Sequence, residues 1–153
     1  MRQKVASVGD DFWIEDPNGN RAYKVDGKAM RIRDTFVLED MGGREVAKIQ
    51  ERKMHVRDTM AIERDGDTIA TVHKRLVGFR DHLKVDLAGG DEWKVHGNLV
   101  DHEYEIEGPH GKIAEISKKW FRVRDTYGVE IAPDQDVALV LAITVAVEDM
   151  THD

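Results

Sequence analysis

His55-Val56-Arg57-Asp58-Thr59 decides how the rest of the chain reads, because a corner of this kind recurs along it. It returns as Arg31-Ile32-Arg33-Asp34-Thr35, Gly78-Phe79-Arg80-Asp81-His82 and Arg122-Val123-Arg124-Asp125-Thr126. The four aspartates are spaced by 24, 23 and 44 residues, the last close to two units of 22. The missing corner falls near Leu99-Val100-Asp101-His102-Glu103. A fixed period of this length marks one supersecondary unit used several times.

Between the corners lie turn signals at matching places. They are Asp16-Pro17-Asn18-Gly19, Asp40-Met41-Gly42-Gly43, Arg64-Asp65-Gly66-Asp67, Ala88-Gly89-Gly90-Asp91 and Gly108-Pro109-His110-Gly111. Glycine supplies the positive φ of tight hairpin turns, and proline presets the backbone entering them. The flanking stretches alternate. Tyr23 and Val25, Phe36 and Leu38, Val85 and Leu87, Trp93 and Val95, and Tyr104 and Ile106 stand among charged neighbours. Period two puts one set of residues on one face of a strand. Where the apolar spacing becomes three, at Val46 and Ile49, Ile69 and Val72, and Ile113 and Ile116, the expectation is a bulge or a local twist. Each corner aspartate is expected to accept local backbone hydrogen bonds while the next residue starts a strand.

The run Val137 to Val147 breaks this pattern, being apolar throughout except Thr144. Its β-branched residues suit a buried strand. Asp134 after Pro133 suits a helix cap, and Ala138, Ala142 and Ala146 recur at helical spacing. Geometry tips the balance to a helix. Ten or more strands closed into a barrel leave an interior that wall side chains do not fill, and a central helix fills it. The fold class expected is therefore mainly β: a closed antiparallel β-barrel around a buried hydrophobic C-terminal α-helix at about 134–149.

Composition sets the outer limits. The chain has 153 residues, no cysteine and a net charge of -7, with 41% hydrophobic and 35% charged residues. This is the size and make-up of one globular domain, 1–153. Without cysteine there is no disulfide, thiol chemistry or Cys-based zinc site. No apolar stretch follows Met1-Arg2-Gln3-Lys4, so no signal peptide is expected. The apolar run falls short of the roughly 20 residues that span a bilayer. A cytoplasmic protein is the expectation.

Several stretches resemble the LURP-one-related proteins of the Tubby C-terminal-like superfamily. They are Met1-Arg2-Gln3-Lys4, Asp11-Phe12-Trp13-Ile14, Lys24-Val25-Asp26-Gly27, Asp101-His102-Glu103-Tyr104, Ser117-Lys118-Lys119-Trp120-Phe121 and Asp125-Thr126-Tyr127-Gly128-Val129. The resemblance implies about twelve strands around the helix. It also implies association with defence responses in plant members, and phosphoinositide binding through Lys and Arg in Tubby domains. The membrane anchoring of the related scramblases does not carry over, since cysteine and a spanning segment are both missing here.

Basic residues gather in the second strands of several hairpins: Lys48, Arg52, Lys53 and Arg57; Lys74, Arg75 and Arg80; Lys118, Lys119, Arg122 and Arg124. Acids gather in first strands and tips, among them Glu39, Asp40, Glu63, Asp65, Asp67, Asp91 and Glu92. In repeated hairpins, equivalent positions fall at one level. One end is then basic despite the acidic total, and suits an anionic membrane surface, in which case the protein is peripheral to it. The plainer alternative is a solvated face of weak cross-strand ion pairs. A protein-interaction scaffold is the second functional reading, and nucleic-acid binding, disfavoured by net charge, the third.

No catalytic residue stands out. Ser7 and Ser117 lie in no nucleophile elbow, and no glycine run forms a phosphate loop before a helix. His96 and His102, with Asp101 and Glu103, are the densest group of potential metal ligands. An extended strand would hold the two histidines roughly 20 Å apart unless Gly97-Asn98 bends, so no metal or cofactor is assigned. Trp13, Trp93, Trp120 and Phe121 read as core or wall residues. A closed barrel has no free edge, so a monomer is expected.

Overall fold

The computed structural model describes residues 2–8, 11–16, 18, 20–26, 35–52, 59–75, 82–118 and 126–151. Their side chains are described at 14–16, 18, 20–25, 36–51, 59–74, 83–118 and 128–151. Twelve strands and one helix lie among these residues: β1 (Arg2–Val8), β2 (Asp11–Glu15), β3 (Arg21–Asp26), β4 (Thr35–Asp40), β5 (Glu45–Arg52), β6 (Thr59–Arg64), β7 (Asp67–Arg75), β8 (His82–Leu87), β9 (Glu92–Asn98), β10 (Glu103–Gly108), β11 (Gly111–Ser117), β12 (Thr126–Ile131) and α1 (Val137–Thr151). Mainly antiparallel β structure with one C-terminal helix is what the repeat and the apolar run predict. All five turn signals fall between paired strands, and the missing corner is the connection from β9 to β10.

Successive strands pair antiparallel, and β1 pairs with both β2 and β12. The pairing order is thus cyclic, β1-β12-β11-β10-β9-β8-β7-β6-β5-β4-β3-β2. Antiparallel order sends the five short turns to one end of the sheet, the turn end. Connections such as those from β5 to β6 and from β11 to β12 leave and rejoin it at the other, the corner end.

Period two explains the interior. From β2 to β12 every strand contributes one aliphatic residue with 0% exposure: Ile14, Val25, Leu38, Ile49, Ile62, Val72, Val85, Val95, Ile106, Ile116 and Val129. Four hairpins carry a register shift, at Ile14/Glu15, Leu38/Glu39, Ile62/Glu63 and Ile106/Glu107. The extra residues opposite them are Ala22, Val46, Ile69 and Ile113. Each precedes a corner aspartate (34, 58, 81 or 125) by twelve residues, so the bulge belongs to the repeat. The spacing of three expected to mark bulges does so at Val46, Ile69 and Ile113. Two of the turns use the same device. Asp16 Oδ1 accepts from the amides of Asn18 (2.9 Å) and Asn20 (3.0 Å), and Asp40 Oδ1 from those of Gly42 (2.9 Å) and Arg44 (3.0 Å).

The helix is buried continuously from Val140 to Val147, and again at Met150. It packs most heavily on β5 and also meets β6, β7 and β12. Burying each of its larger side chains is worth roughly 1.5–3 kcal/mol, an upper figure. Thr144, its buried polar residue, donates its hydroxyl to Val140 O at 2.9 Å and so carries no desolvation debt. The expected start at 134 needs correction. Asp134 has a φ of 70°, a left-handed conformation that cannot cap a helix. Asp136 is the cap: its Oδ1 accepts from Leu139 N (3.1 Å) and its main-chain oxygen from Val140 N (3.0 Å).

Two substitutions test this packing. Ala142, with 0% exposure, sits mid-helix. Ala142→Asp buries an unpaired charge at a cost on the order of 4 kcal/mol or more, a large part of a domain's stability. The expected outcome is loss of the cooperative melting transition; a variant that melts like the wild type contradicts the buried helix. Gly97 has a φ of +127°, and a Cβ there would lie 2.8 Å from Glu103 O and from Tyr104 Cα. Gly97→Ala should lower the melting temperature by roughly 5 °C or more, readable by circular dichroism.

Candidate functional site

Polar side chains hold the helix at both of its ends. At the turn end, Arg64 closes β6 and reaches Asp136 with two bonds, Nη1 to Oδ2 at 2.7 Å and Nη2 to Oδ1 at 3.2 Å. Its Nε donates to Val46 O at 3.4 Å, so one guanidinium ties the bulge of β5 to the start of the helix. The hydrogen bond from Arg64 holds the Asp136 carboxyl below its usual range, and the amides of Leu139 and Ala138 add to this. A carboxylate at a helix N-terminus is also favoured by the macrodipole.

At the corner end, Glu148 Oε1 accepts from His102 Nδ1 at 2.8 Å and from Tyr104 OH at 3.1 Å. Its side chain is 13% exposed. A carboxylate near a helix C-terminus opposes the dipole, and these two donors offset that cost. His102 occupies the turn between β9 and β10 with a φ of 57°. The hydrogen bond to Glu148 holds its imidazole above the ordinary value. Asp101 supports the shift, while desolvation and Lys118 oppose it.

On the outer wall, the charged positions pair both across strands and along them. Lys84 Nζ lies 2.7 Å from Glu92 and 3.7 Å from Asp86, and Asp86 also meets His73 Nε2 at 2.8 Å. Lys112 lies 3.3 Å from Glu105 and 3.5 Å from Glu115. An open groove of about 500 Å³ runs over β9, β10 and β11, with His96, Glu103, Glu105, Glu115 and Ser117 in its lining.

The sequence-predicted basic residues do not share one face. Lys48 alternates with the buried Ala47 and Ile49, and stands on the outer wall opposite Glu63 in register. Lys74 stands opposite the buried Leu83, an interior-facing position near the corner end of β7. Lys118 follows β11 at the corner end, where its amide donates to Glu103 Oε1 at 3.3 Å and its Nζ lies 4.0 Å from Asp101. Arg52 and Arg75 are the last residues of β5 and β7, at the same end. Lys53, Arg57, Arg80, Lys119, Arg122 and Arg124 lie outside the described residues, as do Trp120 and Phe121. Trp93 is a core residue at 6% exposure.

His96 and His102 have different partners. His102 faces Glu148, whereas His96 lies 3.3 Å from Glu107 Oε2 on the wall. Sequence reasoning missed Glu148, Tyr104, Arg64 and Asp136 as partners. The available signal was a charge standing next to an apolar helix that has no solvent-facing side.

One sheet of antiparallel hairpins, with an apolar C-terminal helix pinned by side-chain hydrogen bonds at both ends, defines a class of mainly β proteins. The LURP-one-related family model matches residues 1–148, and the chain belongs to that family. It is 26% identical to the uncharacterized protein YxjI of Bacillus subtilis (strain 168), over 100% of this chain and 93% of that one. Its fold is similar to the X-ray structure of an Arabidopsis thaliana protein, with a TM-score of 0.75 at 21% identity, covering 97% of this chain and 90% of the other. Among the described residues no helix is long and apolar enough to cross a membrane.

The corner clamp has a pH signature. A histidine whose folded pKa is raised contributes stability that is complete below its unfolded value of about 6.5 and is lost as pH rises through the folded value. In urea unfolding at about pH 5.5 and about pH 8.5, the wild type should therefore lose more stability at the higher pH than His102→Gln does. Equal pH slopes for the two proteins would remove the clamp.

Proposed function

We propose that this chain is a non-enzymatic binding module that engages anionic phospholipid headgroups, or another polyanion, through the corner end. The observation that carries the reading is the opposite charge of the two sets of connections. Those that join at the corner end (9–10, 27–34, 53–58, 76–81, 99–102 and 118–125) hold ten lysines and arginines against six aspartates. Those at the turn end (16–20, 41–44, 65–66, 88–91, 109–110 and 132–136) hold five aspartates against one arginine. The acids Glu148 and Asp149 in the last helical turns lie toward the corner end and reduce this excess, and Glu148 is largely engaged with His102 and Tyr104.

Lys53, Arg57, Lys118, Lys119, Arg122 and Arg124 belong to the corner-end set by sequence, and the adjoining strand ends carry Arg52, Lys74 and Arg75 beside the acids Asp11, Asp26, Glu51 and Glu103. Lys48 supports it less, standing mid-strand on the wall. A dipolar arrangement of this kind lets an acidic protein approach an anionic surface with one end forward. The binding reading is preferred to an enzymatic one because Arg64, Asp136, His102, Tyr104 and Glu148 already have structural work, holding the helix. A closed twelve-stranded barrel plugged by its helix serves such a module as a rigid carrier. It offers no free edge for self-association, which favours a monomer, cytoplasmic and peripheral to the membrane.

Co-sedimentation with neutral phosphatidylcholine vesicles, and with vesicles containing anionic lipid, checks this reading at low and high salt. Each basic residue near an anionic surface is worth roughly 1 kcal/mol, and the attraction is screened by salt. The expected outcome is binding to anionic vesicles alone, weakened at least about tenfold by high salt or by changing Lys118, Lys119 and Arg122 together to Glu. Binding to neither vesicle withdraws the lipid reading and directs attention to a protein partner.

A further inference from the structure

The geometry points to a divalent transition-metal site on the outer wall, formed by His96 of β9 with Glu105 and Glu107 of β10. It is independent of the corner-end reading. His96 stands directly opposite Glu105 in the β9–β10 register, and Glu107 lies one outward position further along β10. One imidazole nitrogen and one oxygen from each carboxylate lie within 4.8 Å of one another. The alternation of the strand aims all three side chains to the same side.

His96 Nε2 marks the place. This atom is shielded from solvent and makes no hydrogen bond among the described residues, although Glu107 Oε2 lies 3.3 Å away. The contact has the distance of an ion pair without the alignment of a hydrogen bond. The His96 side chain as a whole is 40% exposed, so the place is reached from outside, and a metal ion would supply the partner this one nitrogen lacks. Zinc binds imidazole nitrogen and carboxylate oxygen at about 2.0–2.2 Å, which asks for ligand atoms roughly 3.5 Å apart in tetrahedral geometry. Rotations about the glutamate side-chain torsions bridge that difference. The hairpin backbone is held by pairs from Glu103–Asn98 to Glu107–Lys94 and need not move.

The charge balance also fits. Two carboxylates neutralise a dication, and the imidazole selects zinc or its neighbours over magnesium and calcium, which prefer oxygen. Lys112 Nζ, 3.3 Å from Glu105, is the competing cation and must yield one oxygen. Three protein ligands on a partly exposed wall leave a coordination position open to solvent.

The test uses the untagged chain, chelator-treated, titrated with zinc chloride in a calorimeter, with the His96 ring followed by NMR. Expected are one equivalent bound with micromolar affinity, a shift of the His96 ring signals, and no competition from millimolar magnesium. His96→Ala and Glu107→Gln should each weaken binding at least about tenfold, while His110→Ala in the β10–β11 turn should leave it unchanged. Melting curves of the variants establish that they are folded, as outer-wall substitutions should be. Absence of saturable zinc binding, or binding of equal strength in His96→Ala, overturns the proposal.

Discussion

A helix with no polar side has one stable environment, the inside of its own protein, and the whole architecture follows from that requirement. From Val140 to Val147 the helix presents only Thr144 as a polar side chain, and that hydroxyl is returned to its own backbone. In water, such a segment would expose apolar surface all round. The sheet has the matching problem: its apolar face needs something to cover it. Each element supplies what the other lacks. Eleven strands accordingly carry one aliphatic residue each at zero exposure, forming a continuous lining from Ile14 to Val129.

An apolar plug inside an apolar lining has little to fix its depth, because hydrophobic contact is non-directional. The charged groups at its ends supply direction. Arg64 grips the cap residue Asp136 in a two-bond fork, and its third contact reaches the bulge carbonyl of Val46. At the other end Glu148 takes two donors from the β9–β10 hairpin. The pairs are partly exposed and contribute modestly to stability. Their value lies in position: with both ends of α1 held, its sliding or turning would break hydrogen bonds at two places.

The same arrangement separates structure from function. The residues that hold the helix are spoken for, and the outer wall is largely a ladder of cross-strand pairs. The proposed recognition is placed in the connections and in a wall group whose bonding is imperfect. By sequence the connections that join at the corner end hold ten basic residues against six aspartates, and among the described residues His96 is the wall histidine whose ring nitrogen is shielded without a hydrogen bond. Membership of the LURP-one-related family accounts for the fold and leaves both of these as properties to be measured on this chain.

The sequence by itself determined the elements: the five hairpin turns, the alternating strands, the bulges at Val46, Ile69 and Ile113, and the existence of a C-terminal helix. These are local matters, decided by glycine and aspartate chemistry in turns and by the period of apolar residues. Only the tertiary structure decided that Asp136 rather than Asp134 caps the helix, since the choice depends on the backbone path out of β12 and on Arg64, 72 positions away. It alone joined His102 to Glu148 across 46 positions. It alone put Lys48 and Lys74 on opposite sides of the sheet. The physical reason is register: a shift of one residue, or one bulge, turns every later side chain to the other face, and that parity is settled by pairing with neighbours far along the chain.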